Sequence, residues 1–301
     1  MNKNLINEAS SLLHLGKTDR RDFLKKAAIG TIGMGYVAAA EPVLAEAIKT
    51  DFEGIQGQEI TFSSGGIQLP AYVARPVRVP KNGLPVVIVV SEIFGVHEYI
   101  ADVVRRFAKL GYLAIAPEFF VRAGDPNSLG TIADILKEIV AKTPDAQVMN
   151  DISSALAWLG KNGGDLSRVG ITGFCWGGRV TWLAAEQFAQ IRAGVAWYGR
   201  LEGEKTDNSP ANPIDLVAQL KAPVLGLYGG ADTGIPVESV ESMKKALASL
   251  ENNKAAQNSR FEIYPDAPHA FHADYRASYR EGPAKDGWSK CVAWFKQQGV
   301  V

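Results

Sequence analysis

The chain has 301 residues, of which 47% are hydrophobic and 21% charged, a globular composition that excludes a disordered, collagen-like or disulfide-framework protein. Thirty-two Lys and Arg balance thirty-two Asp and Glu, so there is no electrostatic footprint for nucleic acid and no basic handle for an anionic membrane surface. Two cysteines cannot staple a chain of this length.

The N-terminal residues read as a targeting segment. Asp19-Arg20-Arg21-Asp22-Phe23-Leu24-Lys25 resembles a twin-arginine export signal. A weakly apolar stretch rich in Ala and Gly follows, from Ala27 to Ala40, shorter than the roughly 20 residues a membrane span needs. Val43-Leu44-Ala45 then offers small residues at the spacing of a cleavage site. The order of charge, apolar stretch and cleavage site predicts a removable leader over 1–45 and a mature domain over 46–301. The partner of the leader is the twin-arginine export machinery. The destination is the periplasm, with no stable membrane insertion after cleavage.

Beyond the leader the elements come in a regular order. Residues 59–62 and 67–73 predict a hairpin about Gly65-Gly66. Pro85 to Val90 is a continuous apolar run, as expected of a strand covered on both faces. Tyr99 to Leu110 has helical spacing and stops at Gly111, and Tyr112 to Ala116 is a second buried strand. Helices are predicted over 132–140, 148–158, 179–190, 238–250 and 286–297. Strands are predicted over 168–172, 194–198, 224–228 and 261–264. Strand and helix alternate, which predicts an α/β fold with a mostly parallel central sheet and helices on both faces. In such sheets the reactive groups gather at the carboxyl ends of the strands.

One strand end carries Gly173-Phe174-Cys175-Trp176-Gly177-Gly178. This is the G-x-S-x-G elbow with cysteine as the nucleophile, on a sharp turn from strand to helix. A helix N-terminus beside the sulfur favours a thiolate. The partners of such a nucleophile follow in the order acid, then histidine. Asp232 follows the strand 224–228 and Gly229-Gly230, and His269 follows the strand 261–264. The four histidines are His14, His97, His269 and His272, so His272 is the competitor of His269, while Asp266 competes weakly with Asp232. Cys291 falls in the last helix as a small buried residue, with no disulfide to Cys175 expected. Trp197 and Tyr198, on a strand, are read as core.

With these residues the chain resembles a dienelactone hydrolase of the α/β-hydrolase superfamily, over roughly residues 55–300. Glu92-Ile93-Phe94-Gly95, the cysteine elbow, Gly230-Ala231-Asp232 and the His269 loop carry the resemblance. It implies an α/β-hydrolase fold and a triad of Cys175, His269 and Asp232. It also implies a role for Glu92 in generating the thiolate, and an oxyanion hole from the backbone N–H groups of Ile93 and Trp176. A carboxylate close to a thiolate raises the pKa of both, so Glu92 is expected to be a poised proton acceptor for the thiol. Members of the family grip the substrate carboxylate with arginines, one of them four residues after the histidine. That position is Ala273 here. Arg276 and Arg122 are the candidate replacements, and Phe94 belongs to the candidate aromatic lining with Trp176 and Tyr99.

These readings converge on a monomeric hydrolase of a small ester or lactone, with no cofactor and no metal, since no spaced His/Cys cluster is present. The alternatives are a broad carboxylesterase or thioesterase on the same triad, and a catalytically silent protein that captures a small ligand.

Overall fold

In the computed structural model, which describes residues 47–301, the chain opens with a hairpin of β1 (Ile55–Ser64) and β2 (Ile67–Pro76). The two residues between the strands, Gly65 and Gly66, both have positive φ, the geometry of a two-residue hairpin turn. The expected leader over 1–45 lies outside the described residues.

Strand β3 (Leu84–Val90) is buried at every position, as its unbroken apolar run predicts. Next come α1 (Glu98–Lys109), β4 (Leu113–Pro117), α2 (Ile132–Glu138) and α3 (Asp145–Lys161). Strand β5 (Gly164–Phe174) leads into α4 (Trp176–Gln187), followed by β6 (Ile191–Trp197) and the single turn α5 (Pro213–Leu216). The chain ends with β7 (Val224–Gly229), α6 (Val237–Ala248), α7 (Lys254–Asn258), β8 (Arg260–Tyr264) and α8 (Glu281–Gln297).

The eight strands form one sheet in the order β1-β2-β4-β3-β5-β6-β7-β8. Pairing is antiparallel between β1, β2 and β4 and parallel from β4 through β8. On one side of the sheet α1 meets α8, with Phe107 in ring contact with Trp288 and Phe295. Helices α3 and α4 pack together against β5.

Several boundaries differ from the pattern-based expectation. Strand β5 starts at Gly164 rather than Arg168, and α3 starts directly after Pro144. Helix α8 starts at Glu281, five residues ahead of the expected start at residue 286, and takes in Pro283. Pro283 lies in the first turn, where its missing N–H would have had no intrahelical partner. Gly287 is needed because a Cβ there would come within 2.7 Å of the Trp197 ring. Tertiary packing thus outweighs local propensity.

The connections fix where the site lies. The chain leaves β3 toward β4 on one side, then crosses to place β5 on the other side of β3. That reversal opens a crevice beyond the carboxyl ends of β3 and β5, the place where open α/β sheets bind ligands.

Candidate active site

Glu92 and Cys175 follow the two strands that flank this crevice. Val90 pairs with Gly173, so the two loops leave the sheet side by side. Cys175 has φ 56° and ψ −114°, a left-handed backbone for a non-glycine residue. Its N–H donates to the Trp197 carbonyl at 3.0 Å, which holds the turn. The glycines of the elbow are steric requirements. A Cβ on Gly173 would overlap the Gly177 carbonyl, and one on Gly177 would overlap the Val90 carbonyl. The thiol of Cys175 is partly accessible, and both Cys175 and Cys291 are free. Cys291 is sealed in α8, where burial pushes its thiol pKa up.

A second close approach joins the acid and histidine loops. A Cβ on Gly229 would overlap the Ala267 carbonyl. Gly230 N–H donates to the Tyr264 carbonyl at 2.7 Å and Ala231 N–H to that of Ala267 at 3.1 Å. The Gly-Gly pair thus lets two backbones touch, and the result is a 2.7 Å contact between His269 Nδ1 and Asp232 Oδ2. The other oxygen of Asp232 accepts the N–H groups of Gly234 and Ile235, at 2.9 and 3.1 Å, which fixes the carboxylate. Burial opposes charge on His269. The charges of Cys175 and Asp232, and hydrogen bonds to both, outweigh burial and hold its pKa well above the usual value.

The competitors lie elsewhere. His272 is buried, its Nδ1 is 2.5 Å from the Tyr99 hydroxyl, and Trp197 packs at 4.4 Å from its ring. Burial, reinforced by the Arg106 charge, pushes its pKa well below the usual value, so it is a neutral core histidine. Asp266 is exposed, away from the His269–Asp232 contact.

Glu92 is buried, and one of its oxygens is heavily engaged. Oε2 accepts from Tyr275 Oη at 2.9 Å and Arg276 Nη2 at 3.4 Å, and lies 3.6 Å from His97 Nε2. Burial by itself would raise the pKa of this carboxyl. The Arg276 charge and the contacts of His97 and Tyr275 overcome that and hold it at about 2. The expected raised pKa is therefore corrected: the Arg276 charge and the contacts of His97 and Tyr275 outweigh burial, and Glu92 is a fixed anion and a poor proton acceptor.

The remaining candidates divide. Arg276 is in the site, paired with Glu92 and lying 4.7 Å over the Phe94 ring. Phe94 and Ile93 join Phe120 and the isoleucines of α2 in a small apolar cluster, against which Trp176 packs. Arg122 is not brought in. Both of its terminal nitrogens go to Asp151, with one also bonding the Ser64 carbonyl, so it ties the first hairpin to α3. Its place in the sequence, just after β4, gave no sign of this distant acid. Ile93 sits in a turn closed by Gly95 N–H to the Glu92 carbonyl at 3.4 Å. Trp176 heads α4, where an N–H has no carbonyl four residues back to bond.

Two neighbours were missed in the sequence. His97 borders Glu92, and Tyr198 lies edge-on to His269 with ring centroids 5.1 Å apart. Tyr198 ends a strand pattern and stays buried, with a backbone φ of 40° and its ring set against His269.

The parallel sheet, with its elbow after β5, acid after β7 and histidine after β8, defines an α/β-hydrolase. The chain belongs to the dienelactone hydrolase family, whose model matches residues 69–299. It is 51% identical over 267 residues to the "Putative carboxymethylenebutenolidase" of Escherichia coli (strain K12), covering 88% of this chain and 96% of that protein. A protein of the same name from Methylorubrum extorquens is 50% identical over 273 residues, covering 90% and 91%. The crystal structure of a "Putative Dienelactone Hydrolase" from Klebsiella pneumoniae subsp. pneumoniae superimposes with TM-score 0.77 at 52% identity, covering 81% of this chain and 99% of that one. The activity of the class is hydrolysis of a carboxylic ester or lactone.

Proposed function

We propose that this protein hydrolyses a small ester or lactone through a triad of Cys175, His269 and Asp232. The observation that carries this reading is the 2.7 Å His269–Asp232 contact, with the charge of Cys175 at the elbow acting on the same imidazole. His269 holds the sulfur as the thiolate of an ion pair, and Asp232 orients and stabilises the imidazolium. The thiolate attacks the acyl carbon, and the N–H groups of Ile93 and Trp176 receive the oxyanion. The leaving oxygen takes the His269 proton, leaving a thioester on Cys175. Water then gives a proton to His269, adds to the thioester and restores the thiolate. Glu92 contributes its fixed negative charge and anchors Arg276, rather than shuttling the thiol proton.

The same reading makes 1–45 a twin-arginine leader and the mature protein a periplasmic monomer. Cys175→Ala tests the triad. It should lower p-nitrophenyl ester hydrolysis at least about 1000-fold with the circular-dichroism spectrum unchanged. Iodoacetamide should inactivate the wild type with one adduct, mapped by mass spectrometry to Cys175. An alkylated enzyme that keeps full activity would sink the assignment.

A further inference from the structure

Two buried polar atoms on the segments that leave the carboxyl ends of β3 and β6 lack any hydrogen-bond partner among the described residues. One is the hydroxyl of Tyr198, and the other is Oε1 of Glu92, the oxygen turned away from Arg276 and Tyr275. Buried polar groups are normally paired, because an unpaired one carries its full desolvation penalty.

Tyr198 is also strained and fixed. Its φ of 40° is left-handed, which is unusual for a bulky aromatic residue. The N–H donates to the Leu227 carbonyl at 2.8 Å, which anchors the backbone. The ring is clamped between His269 and Phe271, with centroids 5.1 and 5.3 Å away. Burial, and then the charge of Glu92, raise the phenol pKa, so the hydroxyl stays protonated and able to donate. Strain of this kind collects at functional sites and points to a role for the side chain.

A donor beside the His269 imidazole, and an anionic acceptor whose charge reaches the same phenol, suit one small ligand with both an acceptor and donors. Water in the second half of the reaction has that chemistry. We propose that Tyr198 and Glu92 hold the hydrolytic water, which accepts from the Tyr198 hydroxyl and donates to Glu92 Oε1 and His269 Nε2. This rests on Cys175 being the acylated residue. In the step, the water oxygen bonds to the acyl carbon and its proton passes to neutral His269. The carbonyl pair moves to oxygen and returns as the C–S bond breaks. The sulfur leaves as thiolate facing the new imidazolium, and the product is the carboxylic acid. Tyr198 is then a catalytic residue for release of the acyl group, without a part in its capture.

Tyr198→Phe removes only the unpaired hydroxyl, and p-nitrophenyl acetate separates the two half-reactions. The first turnover should release p-nitrophenol within about threefold of the wild-type rate. Later turnovers should slow about 10- to 100-fold, the cost of a misplaced reactant, with the acetyl group found on Cys175 by mass spectrometry. Equal slowing of both phases, or no change in either, would overturn the proposal. If the variant does not fold, a high-resolution crystal structure of the wild type decides: a water bonded to both Tyr198 Oη and Glu92 Oε1 supports it, and its absence refutes it. Loss of the triad reading would show separately, as turnover surviving in Cys175→Ala.

Discussion

Arg276 and Glu92 meet as a buried ion pair, Nη2 to Oε2 3.4 Å, between loops 184 residues apart in the chain. The guanidinium absent four residues after His269 arrives from Arg276 and turns toward Glu92. It lies over Phe94, so one residue neutralises the acid and lines the crevice.

Glu92→Gln keeps the shape and removes the charge. It leaves Arg276 buried beside a neutral group, which should cost about 2–4 kcal/mol of stability. Turnover should fall about 10- to 100-fold, because Arg276 loses its anchor and a group that lines the site is displaced. The pH dependence has a definite sign. A carboxyl lowered from 4.5 to about 2 contributes its full stabilisation above about pH 4.5 and loses it as the pH falls toward 2. Urea unfolding of wild type and variant should therefore converge over that acid window. A constant difference from pH 7 to pH 2 would contradict the pairing.

Asp232→Asn removes one of the charges that raise the His269 pKa. An ion-pair mechanism needs His269 protonated, so the alkaline limb of kcat/KM should move to lower pH. The plateau should drop about 100- to 10,000-fold, as when the orienting acid of a triad becomes an amide. A lowered plateau with an unmoved alkaline limb would show that Asp232 only positions the ring.

Arg122→Ala separates structure from substrate binding. Asp151 would stay buried with only Ser64 near it, a loss of about 2–4 kcal/mol. KM and kcat should each stay within about twofold, as for changes outside a site. A large rise in KM for an anionic ester alone would return Arg122 to the substrate.

Export is tested in the cell. Arg20→Lys with Arg21→Lys should leave the full-length protein in the cytoplasm, whereas the wild type should appear processed in the periplasmic fraction. A double variant that is still exported and cleaved would remove the twin-arginine assignment.

What could be read from the sequence was whatever depends on local spacing. The cysteine elbow was legible because glycine spacing around a sharp turn is a steric rule, and the alternation of apolar runs and helical faces gave the parallel sheet. The position of Glu92 was legible, but its ionisation was not, because that depends on Arg276 and Tyr275 arriving from a distant loop. The choice between His269 and His272 was open until burial separated them. Tyr198 escaped because a positive φ on an aromatic residue leaves no mark in the sequence.

The contact between Gly287 and Trp197 also sets a timetable. The Trp197 carbonyl holds the Cys175 turn, while the Trp197 ring rests on α8, which is made well after the elbow. The acid and histidine loops likewise close on each other only once β8 exists. A nascent chain carrying the elbow alone therefore lacks its imidazole and the support behind its sulfur. Both supports of the elbow thus come from segments made after it, so the turn at Cys175 takes its final setting only once β8 and α8 exist.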